Sequence, residues 1–379
     1  MNLHQESPIS ISNLVEEAGK IANRARALQE VTERDRRVPD EIIIALRETG
    51  LLRVRQPKRW GGAGLGAADH YQLVEILSRG CASTGWVYSV LAGHADDIAS
   101  QFHEEVHEEV WSKDPHGLAS SSFFPNGWAE PSGDGYVLSG EFPFSSGCDH
   151  ADWAIVGSIA PDCATGPGPL LFLVPMKDFS IRDNWFTRGL AGTGSKTLIA
   201  EALHIPRHRT APFPMMVGST APFALSSVLA GAARGVIDAF IAHLQKKHPK
   251  DSLKPVGGEN LQMLIGACWA EIDAAWTLIQ SDVRSTEAHL ARDGVLPRDI
   301  TIRNRAHNTL TTKLILDALD RIYAASGSSM IFEDSLISRL YHDVKAGSQH
   351  ASINQFSGAR DAGFMLLNPN RSWSYPLPS

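Results

Sequence analysis

Three short patterns in this 379-residue chain carry residue types able to do chemistry. His103, Glu104 and His107 satisfy HExxH, in which two histidines one helical turn apart bind zinc and the glutamate activates water. No third ligand follows at a known spacing, and Phe102, Val106 and Val110 form an apolar stripe through the same turns. A solvated helix with both histidines on its flank among four glutamates is therefore expected. Gly62, Gly64 and Gly66 have a spacing close to that of a dinucleotide-binding loop, but basic residues rather than a buried strand precede them and no βαβ unit surrounds them. A plain loop is the expectation there. Gly192, Thr193, Gly194 and Ser195 can cradle a phosphate through backbone N–H groups, yet they lie between strand-like runs without the lysine pattern of a P-loop. A tight turn competes with that reading.

The elements that must hold such residues follow from periodicity. Leu14, Ala18, Ile21, Ala25 and Leu28 recur at steps of three and four, so a helix runs from Ser12 to Leu28. Pro39, Ile42, Ile43, Leu46 and Gly50 mark a second helix with a proline start and a glycine end. The stretch from Asp69 to Ser100 is again helical, with breaks expected near Gly80 and Gly85. Between Leu118 and Ile205 the apolar runs become short and β-branched or aromatic: 135–144, 152–159, 170–174 and 198–205. Residues 161–169, PDCATGPGP, read as a surface turn between two of these strands. Beyond Phe223 the helical period returns, as in Leu261, Leu264, Ile265, Cys268, Ile272, Ala275, Leu278 and Ile279. The organisation is thus 1–115 helical, 116–215 β and 216–379 a helical bundle.

Composition sets limits on function. With 35 Lys+Arg against 42 Asp+Glu, the formal net charge of -7 lacks the basic excess that drives nucleic-acid binding. The 43% hydrophobic content suits a globular chain, no unbroken apolar run of membrane-spanning length occurs, and the first residues, MNLHQESPIS, show no signal-peptide pattern. No membrane partner and a cytoplasmic location are expected. Cys81, Cys148, Cys163 and Cys268 form no CxxC pair and are expected as free thiols.

The β segment contains Phe142-Pro-Phe144-Ser145-Ser146-Gly147-Cys148-Asp149-His150-Ala-Asp-Trp153. Trp185, the run Arg188-Gly-Leu-Ala-Gly-Thr-Gly-Ser195 and His204-Ile-Pro-Arg-His-Arg209 follow it. Together with Arg55–Gly66, Cys81–His94 and Gly231–Gly235, these motifs resemble the acyl-CoA dehydrogenase superfamily over essentially the whole chain. Within it they are similar to the oxygenase components of two-component flavin-dependent monooxygenases that act on phenols. The resemblance implies an α+β fold: an N-terminal α-helical domain, a central β-barrel domain and a C-terminal four-helix bundle, assembled as a homotetramer.

It also implies roles. In dehydrogenases of the superfamily a glutamate in the bundle removes the substrate proton; in the comparable stretch, 341–350, His350 stands where that carboxylate would lie. An imidazole suits proton exchange with a hydroxyl or peroxide rather than acyl-CoA oxidation, which favours the oxygenases. Ser146, or its neighbour Ser145, corresponds to the serine that reaches flavin N5, and Phe144, Gly147, Gly194 and Ser195 to cofactor-binding positions. Ser121 and His94 correspond to substrate-binding positions, with Trp86 beside them, and Tyr88, Phe123 and Phe124 offer further aromatic surface. Ala191 replaces the arginine usual in the glycine-rich run, so a contact from that position does not carry over.

The implied reaction takes reduced FAD or FMN and O2 through a C4a-hydroperoxyflavin and places a hydroxyl on a phenol- or indole-like substrate. No nicotinamide-binding unit is visible, so a separate NAD(P)H-dependent flavin reductase is implied. The alternatives are an acyl-CoA dehydrogenase or oxidase using a carboxylate such as Glu333 or Asp334, an N- or S-oxygenase of the same fold, and a flavin-binding protein without catalysis.

Overall fold

The computed structural model describes residues 11–163, 166–213, 221–248 and 255–371. Helix α1 (Ile11–Ala27) buries Leu14, Ala18, Ile21 and Ala25, the stripe read from the sequence. A short α2 (Gln29–Asp35) follows, too brief to show a period. Helix α3 (Asp40–Glu48) starts behind Pro39 and ends before Gly50, whose φ of 78° is the left-handed geometry of a residue just past a helix end.

Helices α4 (Ala67–Gly80) and α5 (Ala82–Gln101) are separated only at Cys81. The break expected near Gly85 does not occur. Gly85 lies inside α5, where a Cβ would stand 1.9 Å from Ser78 Oγ, so this glycine lets two helices touch rather than ending one. The loop at 62–66 leads into α4, whose first N–H groups are taken by a carboxylate: Ala67 N donates to Glu287 Oε1 and Ala68 N to Oε2. A side chain of the protein thus holds the position that a dinucleotide fold gives to phosphate.

Helix α6 (Glu104–Trp111) buries Val106 and Val110 as expected. His107, however, is only 3% exposed, a correction to the solvated-flank expectation. Its Nε2 donates to Ile98 O at 2.9 Å and its Nδ1 faces the Arg59 guanidinium at 3.3 Å, so neither nitrogen is offered to a metal.

The middle of the chain is one mixed sheet of seven strands, ordered β5-β6-β2-β1-β3-β4-β7. The strands are β1 (Ala119–Ser132), β2 (Gly135–Ser145), β3 (Trp153–Cys163), β4 (Gly166–Pro175), β5 (Ser180–Arg182), β6 (Lys196–Pro206) and β7 (Thr210–Pro212). Among the described residues only β1 and β3 pair in parallel. The sheet curls into a barrel: Tyr136 on β2 and Phe172 on β4 meet edge to face at 5.5 Å, although two strands separate them and a flat sheet would hold them about 14 Å apart. Inside lie Phe142, Val156, Leu198 and Ala129. Residues 161–169 are less turn than strand, for β3 and β4 run on to pair Ala160 with Gly168 and Cys163 with Gly166.

The C-terminal part packs α7 (Ala221–Lys247), α8 (Glu259–Asp293), α9 (Arg298–Ala325) and α10 (Leu336–Gly347) together, with α11 (Ser357–Leu367) laid on α9. Cβ atoms at Gly231 and Gly235 would come within 2.2 Å of Glu75 O and 2.6 Å of Arg79 O, so α7 runs backbone to backbone against α4. Arg234 pins this crossing through Glu75 at 3.0 Å and also ties α7 to α8 through Asp273 at 2.7 Å. By length and composition α7 is apolar enough to cross a bilayer, which inspection for unbroken apolar runs misses; 67% of that window is buried in the bundle core.

Candidate active site

The site grows from one face of α5. Positions 86, 90 and 94 recur every four residues, so Trp86, Val90 and His94 form a stripe about 12 Å long. His94 ends the stripe, 8% exposed, with its Nδ1 2.8 Å from Asp97 Oδ2 and its ring edge on Phe123, centroids 5.3 Å apart. Asp97 accepts from Nδ1, so in the neutral ring it is Nε2 that presents a lone pair. That Nε2 is buried without a partner.

Strand β1 supplies the opposite wall. Successive side chains alternate across a strand, so Ser121 and Phe123 share the face turned to α5, while Ser120 and Ser122 face the other way. Ser122 Oγ donates to Pro143 O at 2.7 Å, and the fully buried Ser120 hydroxyl has no partner. Of the other aromatic residues considered, Tyr88 is 0% exposed in the helical core against His70, and Phe124 is 51% exposed. Neither joins the stripe.

Trp86 begins the stripe, and there the end of β2 meets it. Phe144 takes a left-handed φ of 62°, an uncommon strain for a non-glycine residue, and its exposed ring stands edge to face with Trp185, 5.8 Å away. Ser145 is fully buried and its hydroxyl donates to Phe142 O at 3.1 Å. Ser146 instead faces Trp86, whose Nε1 donates to its Oγ at 3.2 Å. Gly147, at φ 72°, donates its N–H to Thr193 O at 2.9 Å; a Cβ there would press on Val87 and Leu91 of α5.

The glycine-rich run closes this corner as a 3-10 turn over Ala191–Thr193. Ser195 Oγ lies 2.7 Å from Ser146 Oγ and 2.7 Å from Thr193 Oγ1, and Thr193 Oγ1 donates to Leu190 O at 2.8 Å. Gly194, at φ 53°, brings its backbone against Asp149, where a Cβ would meet Oδ2 at 2.8 Å. The turn is therefore a hydroxyl relay to Ser146, and of the predicted cofactor positions Phe144, Ser145, Ser146, Gly147, Gly194 and Ser195 all converge here.

His350 arrives from the bundle, three residues beyond the end of α10. Its ring meets Trp86 edge to face at 6.0 Å, so the indole stands between Ser146 and His350. His350 Nδ1 faces the Ser352 hydroxyl at 2.8 Å and the Ser352 N–H at 3.3 Å. One edge of the ring is open to solvent, yet the surrounding protein crowds it and burial pulls its pKa down to about 4. The imidazole is neutral at physiological pH and presents an N–H donor. Glu333 and Asp334, the carboxylates considered for a dehydrogenase, sit exposed on the turn before α10.

Two residues that sequence reasoning missed hold this arrangement. Asp97 fixes the His94 tautomer, and its spacing of three from His94 on one helix was a readable signal. Asp343 lies in the buried face of α10 with Leu340, Val344 and Gly347 and accepts Leu190 N–H at 2.6 Å. An acid within an apolar helical stripe was the available clue there.

The residues fit a flavin at the Ser146 corner. A strained, exposed Phe144 beside Trp185 offers aromatic surface for a planar ring, and the glycines at 147 and 194 keep side chains out of the turns around it.

Residues 12–111 match the family model of the acyl-CoA dehydrogenase N-terminal domain, and residues 223–355 that of its C-terminal domain. The chain is 31% identical to the oxygenase subunit HsaA of a flavin-dependent monooxygenase from Rhodococcus jostii (strain RHA1), over 85% of this chain and 89% of that one. It is 30% identical to the oxygenase component of an FADH2-dependent resorcinol hydroxylase from Rhizobium sp. (strain MTP-10005), over 93% and 94%. Among solved structures it superimposes on the crystal structure of 3-HSA hydroxylase from Rhodococcus sp. RHA1 with a TM-score of 0.89, at 28% identity over 95% of this chain and 98% of that one.

Proposed function

Because this chain belongs to the acyl-CoA dehydrogenase superfamily, among the oxygenase components of flavin-dependent monooxygenases, we propose that it hydroxylates a small aromatic substrate bearing an O–H or N–H donor, a phenol or an indole. The observation that carries the substrate class is the buried, unpartnered lone pair of His94 Nε2 at the end of the aromatic stripe. A buried acceptor without a partner is costly, and a substrate donor satisfies it.

Bound reduced flavin supplies the two electrons with which O2 is split, one oxygen entering the aromatic C–H bond as hydroxyl and the other leaving as water. The protein does the rest. His94 accepts the substrate's proton-bearing group and orients the ring, with Ser121 on the facing strand in reach of the same polar end. Trp86 and Phe123 exclude water along the stripe. Ser146 would hold the flavin through its N5 edge, and His350, a neutral imidazole beside Trp86, would move the proton at the reacting oxygen. Substrate pocket and flavin corner lie at opposite ends of one helix face, so α5 sets the distance between them.

A flavin reductase supplies the reduced cofactor, and we place its NAD(P)H chemistry outside this chain. We also propose a homotetramer, supported by exposed apolar residues on the bundle surface such as Met263, Trp269 and Phe356; light scattering in solution tests it. The deciding experiment for function is product mass spectrometry with reduced flavin, O2 and a panel of phenols, indoles, thiophenes and acyl-CoA thioesters. Hydroxylated phenol or indole supports the reading, and turnover of the thioesters alone would sink it.

A further inference from the structure

We propose that Thr193 and Ser195 are positioning residues that fix the direction of the Ser146 hydroxyl and thereby make the site select the reduced over the oxidised form of flavin. The inference rests on the flavin reading above, with Ser146 at ring nitrogen N5.

The argument is a count of protons. Leu190 O is a carbonyl, so in the 2.8 Å contact Thr193 must donate. Its single proton is then spent, and in the 2.7 Å contact with Ser195 it must accept. Ser195 has in turn given its proton to Thr193, so across the next 2.7 Å Ser146 must donate. Trp86 Nε1–H can only donate, and does so to Ser146. The chain therefore runs Trp86 to Ser146 to Ser195 to Thr193 to Leu190 O, with each hydroxyl giving one proton and taking one. Any other assignment forfeits one of the four contacts.

The environment keeps this order. Thr193, Ser195 and Ser146 are 2%, 5% and 8% exposed, so water does not compete for their protons. The far end is anchored, because Asp343 holds Leu190 N–H and Leu190 O also receives Trp185 Nε1 at 3.0 Å. Ser146 is left with one lone pair and no proton to give. At N5, reduced flavin carries hydrogen and donates, whereas oxidised flavin carries only a lone pair and needs a donor. An acceptor-only Ser146 pairs with the first and opposes the second lone pair to lone pair.

The relay predicts an inversion rather than a simple loss. In Thr193→Val the Ser195 proton has nowhere else to go and turns to Ser146, whose own proton is then free for N5. Leu190 O keeps its bond from Trp185, so no buried carbonyl is stranded. Ser195→Ala removes the acceptor of the Ser146 proton and has the same consequence.

The test is anaerobic titration of the full chain with FAD and with FMN, each in both redox states, for the wild type, Thr193→Val, Ser195→Ala and Thr193→Ser. The wild type should bind reduced flavin more tightly. In the first two variants the ratio of oxidised to reduced Kd should fall by about threefold to tenfold, the worth of one neutral hydrogen bond. Thr193→Ser restores the hydroxyl and should keep the wild-type ratio. Variants that bind both forms with an unchanged ratio overturn the relay while leaving the flavin site intact, as does a Thr193→Ser ratio shifted as far as that of Thr193→Val. A wild type that binds neither form removes the flavin reading itself. A Ser195→Ala chain that fails to fold leaves the decision with the near-isosteric Thr193→Val pair.

Discussion

Asp343 accepts the backbone N–H of Leu190 at 2.6 Å, joining a helix of the bundle to the turn that carries Thr193 and Ser195. Burial raises its carboxyl to about 7, against the opposing pull of that N–H; Glu33 adds to the rise and Arg339 offsets it. The same helix leads to His350, so this bond ties the turn of the hydroxyl relay to the segment that carries the imidazole.

The first prediction concerns its titration. The folded chain keeps this proton to a higher pH than the unfolded chain, so between about pH 4 and about pH 7 the native state binds more protons and loses stability as pH rises. Asp343→Asn retains an acceptor for Leu190 and has no proton to lose. Its urea midpoint relative to wild type should therefore improve from about pH 5 to about pH 8.5. A gap that stays constant across that range would show that Asp343 ionises normally.

His350→Ala should fold, bind reduced flavin and consume O2, yet lose hydroxylated product by the ~10² to 10⁴-fold typical of a missing general acid/base. Oxygen consumed without product should appear as hydrogen peroxide. Both must be measured on the same samples, since a variant that loses product by losing flavin says nothing of proton transfer. Product within about threefold of wild type, below the ~1.4 kcal/mol of a tenfold loss, makes His350 structural.

The two adjacent serines separate cleanly. Ser145→Ala removes a buried bond to Phe142 O and should cost about 1 kcal/mol of stability with flavin affinity and coupling intact. Ser146→Ala leaves the buried Trp86 Nε1–H without its acceptor and should cost stability of similar size, but it alone of the two should raise peroxide release. The opposite pattern would move the N5 contact to Ser145.

His94→Ala should raise KM for a phenol by about tenfold with a smaller change in kcat, because it removes a binding partner made before the chemical step. Asp97→Asn should act in the same direction by releasing the His94 tautomer, and an Asp97→Asn variant with unaltered KM would refute that orienting role.

How far the sequence could be read depended on the kind of signal. Stripes at helical spacing such as Leu14 to Ala25 were legible because one buried face leaves a period. Strand β1 was not, since its Ala-Ser-Ser-Ser start has no apolar alternation and its place is set by pairing with β3 far along the chain. Gly85 reads as a breaker locally, but the helix–helix contact that requires it is tertiary. Likewise, His107 reads as exposed until Ile98 and Arg59 close over it. In the candidate site, family motifs nominate Trp86, His94, Ser146 and His350, and the structure places Ser146 and His350 on either side of Trp86, whereas the relay order and the Asp343 anchor exist only once distant segments meet.

The parallel pairing of β1 with β3 and the late arrival of α10 also bear on how the protein is made. A ribosome delivers Trp86 first, then Ser146, then Ser195, and His350 last of these. Until α10 docks, Leu190 has no carboxylate to hold it and the corner around Ser146 lacks its anchor. Contacts of such long sequence separation form slowly, after the local helices. The relay turn is thus fastened only after all of its own residues have been made, by a helix that lies about 150 positions further along the chain.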